Sequence, residues 1–293
     1  MCFFRSRRDH RLRYQRPKKV SRKPQVPPKP PISLELRNQQ AQSPLFGSWF
    51  PAELRIAIYE AVLGDLTRLT HIVPFSDGSE RVGRRRCLDT GCEYPTWQHR
   101  CFDKWWIRRG NGARREVVVW SSDKLLSMLL SCHRIYSEAL DILYSANHFS
   151  VKGAQGLLEM RSVVPDLQWD AIRYMNISTI FLMPLSDWPP EYPSLPPESR
   201  AKWPVACQAI QKMRGLRQLY VEINVHDAYD RTMSAKDTEL FVSVLRPLNS
   251  ITVPSFEVEL NRVLPDTVLQ QLGKTTFTTI VKQRPFNPTI FLI

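Results

Sequence analysis

The side chains best suited to chemistry lie close together in one stretch, CLDTGCEYPTWQHRC, which carries Cys87, Cys92, His99 and Cys101. Thiolates and imidazoles are the ligands zinc takes, and four of them make the tetrahedron of a structural site. The spacing is Cys-x4-Cys, then x6-His, then x-Cys, which is not the paired-knuckle pattern. Two readings therefore stand. Either the four residues hold a structural zinc ion, or the loop is pinned by Trp97, Trp105 and Trp106 and its thiols are unligated. A metal would meet a physical need, because a long excursion with few core-forming repeats requires something to hold it.

The remaining candidates are weaker. Cys132 and His133 adjoin on a predicted helix, where neighbouring side chains point about 100° apart and do not serve each other as nucleophile and base. Cys132 falls on the apolar stripe and is read as core. His71 and His148 sit in strand-like stretches without an acid nearby and are read as structural. His226–Asp227 follows a strand, a usual location for active residues in parallel sheets, but nothing else is recruited to it. No phosphate-binding loop, nucleophile elbow or paired-histidine zinc motif occurs. The expectation is a protein that is not an enzyme and needs no cofactor beyond the candidate zinc.

The first element that must position these groups is a helix over 50–64, FPAELRIAIYEAVLG. Pro51 suits the first turn and Glu53 the positive end of the helix dipole. Leu54, Ile58, Ala61 and Val62 form one apolar face, widened by Ile56, Tyr59 and Leu63. Arg55 and Glu60 are left for solvent. On this reading the helix founds a core, with Leu54, Ile58 and Val62 buried, and Leu54→Ala or Ile58→Ala costs roughly 2–4 kcal/mol. A docking helix for a partner is the competing reading.

The partner in the fold is SSDKLLSMLLSCHRIYSEALDILYSANHFSV, where Leu125, Leu129, Cys132, Tyr136, Leu140 and Leu143 recur at helical spacing. Glu138 and Asp141 read as its wet side, and Ser137 marks a candidate break. Asn147 suits the turn into a strand, since its side chain can bond nearby backbone.

Beyond it, strands are predicted at Ile172–Met183, Leu216–Val225, Val253–Leu260 and Phe277–Val281, alternating with helices near Pro204–Met213, Lys236–Leu248 and Pro265–Leu272. This rhythm predicts an α/β (or α+β) single domain over 43–293. It has a mixed, partly parallel sheet with covering helices and irregular leucine-rich-repeat-like units. A Cys/Arg/Trp-rich excursion occupies 76–120 and a Pro-rich surface loop 184–199.

Residues 1–42 read as a disordered basic, proline-rich tail. Between Arg5 and Lys29 there are eleven Lys or Arg against Asp9 alone, so the tail supplies most of the formal charge of +13. Such a tail favours nucleic acid, acidic lipid or an import receptor, and Arg16–Lys23 resembles an import signal. The Arg84–Arg86 and Arg114–Arg115 patches near Trp105 and Trp106 raise a nucleic-acid reading for the body as well. No run is long and apolar enough for a membrane span or a signal peptide, so the expected location is intracellular, in nucleus or cytoplasm.

Two segments carry a resemblance. FPAELRIAIYEAVL is similar to LPxELRxxIYExxL, and SCHRIYSEALDILYSANHFSV to CRxIYxEAxxLLYxxNxF, both found in a fungal domain-of-unknown-function family (DUF7730-like) with an F-box-like beginning. The pair spans about 35 residues, and the layout extends the likeness to roughly 43–277. The resemblance implies an F-box-like helix at Pro51, Glu53, Leu54 and Ile58, with a Skp1-type ubiquitin-ligase adaptor as the implied partner. A gly- and arg-rich excursion stands where further F-box helices would follow. The family brings no known activity. The functions in competition are a non-catalytic protein-interaction or scaffold protein, an F-box-like substrate receptor, a nuclear or nucleic-acid-associated regulator, and an enzyme of unknown type.

Overall fold

The computed structural model describes residues 43–47, 49–74, 82–102, 105–108, 114–117, 125–183, 201–227 and 235–285. The basic tail and the Pro-rich loop 184–199 lie outside them.

Strand β1 (Asp65–Pro74) opens the main sheet and β2 (Val82–Arg86) pairs with it antiparallel. A separate two-stranded ladder, β3 (Trp105–Arg108) and β4 (Arg114–Val117), forms within the excursion. The remaining strands are β5 (Asn147–Lys152), β6 (Tyr174–Met183), β7 (Gln218–Asp227), β8 (Ser255–Leu260) and β9 (Thr278–Val281). The sheet runs β2-β1-β5-β6-β7-β8-β9, and every pair from β1 to β9 is parallel. The expected mixed, partly parallel sheet is present and is largely parallel, with β2 its antiparallel edge.

The helices are α1 (Ala52–Leu63), α2 (Leu125–Leu129), α3 (His133–Ser145), α4 (Gly153–Val163), α5 (Asp166–Ala171), α6 (Lys202–Gln211), α7 (Ala235–Leu245) and α8 (Asp266–Leu272). Adjacent parallel strands joined by crossovers of one hand place every crossover helix on one face. The main core has that composition. Phe149, Val151, Met175, Ile177, Leu219, Val221, Phe256 and Val258 from the strands pack with Leu157, Met160, Trp203, Ile210, Phe241, Leu245 and Val268 from the helices.

The strand period of two then assigns the alternate residues to the opposite face. They are polar and yet buried: His71, Ser150, Asn176, Ser178, Glu222, Asn224 and Glu259. Two short 3-10 turns, Thr96–Gln98 and Arg100–Phe102, cover this face. Trp97 lies at the centre of that cover, fully buried, and its backbone N–H donates to Ser178 Oγ at 2.9 Å and its indole N–H to Asn224 Oδ1 at 3.0 Å. The Thr96 N–H donates to the Glu222 carboxylate at 3.1 Å. From beyond β9, Arg284 reaches back to Glu259 at 2.9 Å and to Glu222 at 3.5 Å. Apart from His71, polar groups buried this deeply persist because they find partners.

A second, smaller core joins α1 to α3 through Tyr59, Leu63, Leu129, Ile135, Ala139 and Leu143, with Phe46 beside them. Here the structure corrects the sequence reading. Leu54, Ile58 and Val62 are 52%, 40% and 43% exposed, while Arg55, Tyr59 and Leu63 form the buried face. The apolar arc goes nearly all round α1, so hydrophobicity alone does not choose which side faces inward; the polar residue able to pair with α3 chooses.

The helix break falls before Cys132, not at Ser137, which is exposed on the middle of α3. Cys132 is half-buried against the small core and also caps α3, its Sγ accepting from the Ile135 N–H at 3.4 Å. Gly64 ends α1 in extended geometry. A Cβ there would stand 2.8 Å from the Glu60 carbonyl and 3.0 Å from the Ala146 Cβ, so close approach explains the glycine.

Candidate metal centre and docking helix

Strand β1 alternates, so Ile72 enters the core and His71 faces the polar side, in register with Arg85 on β2 and Ser150 on β5. His71 is fully buried and neither ring nitrogen has a hydrogen-bond partner. Cys87 follows β2 directly, its N–H bonded to the Leu69 carbonyl at 2.8 Å, and His99 stands between the two 3-10 turns. The ligand atoms of His71, Cys87 and His99 all lie within 4.8 Å of one another, and all three residues are buried. Cys87 Sγ is 3.3 Å from His99 Nδ1. The rings of His71 and His99 meet edge-on with centroids 5.6 Å apart, and Phe102 packs on His71 at 4.2 Å.

Of the other sequence candidates, Cys101 is buried beside this triad. Its Sγ accepts the Leu88 N–H at 3.2 Å and lies 3.8 Å from Asp89 Oδ2. Its carbonyl accepts from Arg85 Nη1 at 2.6 Å. The thiol interaction with Cys87, reinforced by His71 and the Leu88 N–H, pushes the Cys101 pKa down. The same interaction and burial push Cys87 up. Burial, then repulsion from His71, lowers His99, which keeps its ring neutral and able to ligate. Cys92 is half-buried and outside the converging group. It lines a pocket of about 220 Å³ together with Cys87, Asp89, Thr96, His99 and Arg284.

His71 is the residue that sequence reasoning missed. It lies 16 positions before Cys87 and reads as a satisfied strand histidine. The available signal was alternation in LTHIVP, which sets His71 opposite Ile72; only the register with β2 brings it to Cys87.

The docking candidate is α1. Pro51 precedes the helix, exposed, and Glu53 sits exposed in the first turn. The inner face is held by Glu138, which the sequence assigned to solvent. Arg55 Nε and Nη2 donate to its two oxygens at 3.0 and 3.1 Å, the Tyr59 hydroxyl donates at 3.1 Å, and Arg134 Nε at 3.0 Å. Burial raises the Glu138 pKa, but these donors outweigh it and hold the carboxyl below the usual glutamate range. Burial and the adjacent carboxylate push Tyr59 up to about 12. Asn147 Nδ2 donates to the carbonyls of Leu63 and Leu143, both at 2.8 Å, so one amide closes the ends of α1 and α3 together. Tyr136 is exposed and Leu140 is half-buried against the small core.

The basic patches are partly absorbed by the fold. Arg85 is buried on the Cys101 carbonyl, and Arg86 pairs with Asp65 at 3.4 Å. Among the described residues, no helix is long and apolar enough to cross a membrane.

No curated protein and no solved structure matches the chain. Residues 38–281 match a family described as Domain of unknown function (DUF7730). That match takes in both cores, the cluster at His71 and the helix pair α1–α3, and the chain belongs to the DUF7730 family.

Proposed function

We propose that this chain is a non-catalytic protein-interaction domain that docks its partner through the outer face of α1, in the manner of an F-box-like substrate receptor. The observation that carries this reading is the exposed stripe Leu54, Ile58 and Val62, on a helix whose other side is fixed by Arg55 and Tyr59 on Glu138. An apolar stripe left in water on an anchored helix is a helix-recognition surface. The run of parallel strands in sequential order from β5 to β9 supports an irregular leucine-rich-repeat-like platform behind it. The partner of the proposal is a Skp1-type adaptor. Pull-down of a purified Skp1-type adaptor with the full chain, repeated with Leu54→Asp and Ile58→Asp, tests it. Binding that both substitutions abolish, with thermal unfolding unchanged, is the expected result. No adaptor binding by the unmodified chain would sink the receptor reading.

The cluster at His71, Cys87 and His99 supports a structural zinc ion as the one cofactor. Imidazole and thiolate favour zinc over the hard cations magnesium and calcium. A metal there would join β1, the end of β2 and the cover over the polar face. The neighbouring pocket, with Asp89 and Arg284 in its wall, favours a second reading in which an open metal position activates water. The coordination number separates the two.

A further inference from the structure

We infer that Cys101 is the fourth ligand of the metal centre, so that His71, Cys87, His99 and Cys101 form one closed Cys2His2 zinc site from which Cys92 is excluded. The inference rests on the structural-zinc reading above and adds the ligand that closes it.

Three observations converge. The first is His71, fully buried with both nitrogens unpartnered, while on the same face Glu222, Ser178 and Asn224 each accept a hydrogen bond from the cover. A buried imidazole without a partner is costly, and a cation is the partner its neighbours suit. The second is spacing. With Zn–S about 2.3 Å and Zn–N about 2.0–2.1 Å, a tetrahedral site sets sulfur and nitrogen roughly 3.6 Å apart and two imidazole centroids roughly 5 Å apart. The separations here are 3.3 Å for Cys87 Sγ to His99 Nδ1 and 5.6 Å for the ring centroids. The third is Cys101 itself. It is buried, its thiol meets that of Cys87, and the Leu88 N–H points at its sulfur at 3.2 Å. An amide aimed at a thiolate is the outer-shell bond that orients a ligand and stabilises its charge. Neither Cys101 nor Cys92 is among the three residues whose ligand atoms all lie within 4.8 Å of one another; Cys101 is the buried one and meets Cys87, whereas Cys92 is half-buried at the pocket wall.

The consequence is chemical. Two thiolates and two imidazoles fill the tetrahedron, leave no position for water and make the site structural. The spacing, His-x15-Cys-x11-His-x-Cys, comes from three separate elements and matches no contiguous zinc motif.

The test uses the full chain, with zinc content by mass spectrometry and cobalt substitution read by absorption. The near-ultraviolet sulfur-to-cobalt band scales with the number of thiolates, and the visible bands report tetrahedral geometry. One ion per chain is expected, with two-thiolate intensity in both the unmodified protein and Cys92→Ser. Cys101→Ser should lose about half the band or the ion itself, and His71→Cys should raise the band about 1.5-fold with one ion retained. An unchanged band in Cys101→Ser, or a halved one in Cys92→Ser, overturns the assignment while leaving a metal site in place. A folded, unmodified chain that takes up neither zinc nor cobalt overturns the structural-zinc reading as well.

Discussion

Two places in this molecule tie together chain segments far apart in sequence with polar side chains: the Glu138 hub between α1 and α3, and the cluster of His71, Cys87 and His99 under the cover of the polar sheet face. At the hub, Arg55, Tyr59 and Arg134 donate to one carboxylate and nothing is left over. At the cluster, His71 is buried with neither nitrogen bonded. The hub is complete as polypeptide, whereas the cluster leaves His71 unpartnered and is where a cation would fit. The difference follows from chemistry: a guanidinium and a carboxylate satisfy each other in fixed geometry, while thiols and imidazoles brought together also suit a shared metal ion.

The largest expected effect lies at the cluster's cover. Trp97→Ala should destabilise the domain by about 3–5 kcal/mol in chemical denaturation, because it removes a fully buried indole and leaves Asn224 unpaired. A loss under about 1 kcal/mol would mean that the cover is an ornament on a self-sufficient sheet. At the helix pair, Leu63→Ala should cost about 2–5 kcal/mol. Asn147→Ala should cost about 1–3 kcal/mol, since two buried carbonyls lose their donor at once.

The hub should also respond to acid. Glu138 has a folded-state pKa below its unfolded value, so its contribution is fully present above the ordinary glutamate range and disappears as the pH falls through and below that range. Thermal unfolding should therefore drop between neutral pH and about pH 3 more steeply in the unmodified chain than in Glu138→Gln. Equal slopes would remove the hub from the account of acid sensitivity. The smallest effect is expected on the outer face. Leu54→Ala and Ile58→Ala should change stability by no more than about 0.5 kcal/mol, because both side chains are already in water. A cost near 2 kcal/mol would restore the core reading of α1.

Much of the fold was legible in the chain. The strand predictions at Ile172–Met183, Leu216–Val225, Val253–Leu260 and Phe277–Val281 each overlap an observed strand. Their apolar alternation and the Pro and Gly between them are local signals. What misled was α1, where Leu54, Ile56, Ile58 and Val62 leave no polar side for the period to mark. Helix α5 was not anticipated in its six residues. At the candidate site, Cys87, His99 and Cys101 stood out by type and nearness. His71 did not, because its contribution depends on strand register.

The sequence by itself determined the alternation of strands and helices from Ile172 onward, a sheet at least partly parallel, and the pairing of the ELRIAIYE and CHRIYSEA segments. Period, punctuation and residue type are written locally and survive without knowledge of neighbours. Only the tertiary structure decided which side of α1 faces Glu138, that one face of the sheet is polar and covered by Trp97, and that His71 joins Cys87 and His99. The first is a choice among faces that the sequence leaves nearly equal in hydrophobicity, and it is made by Glu138; the other two depend on strand register and on segments that arrive from far along the chain.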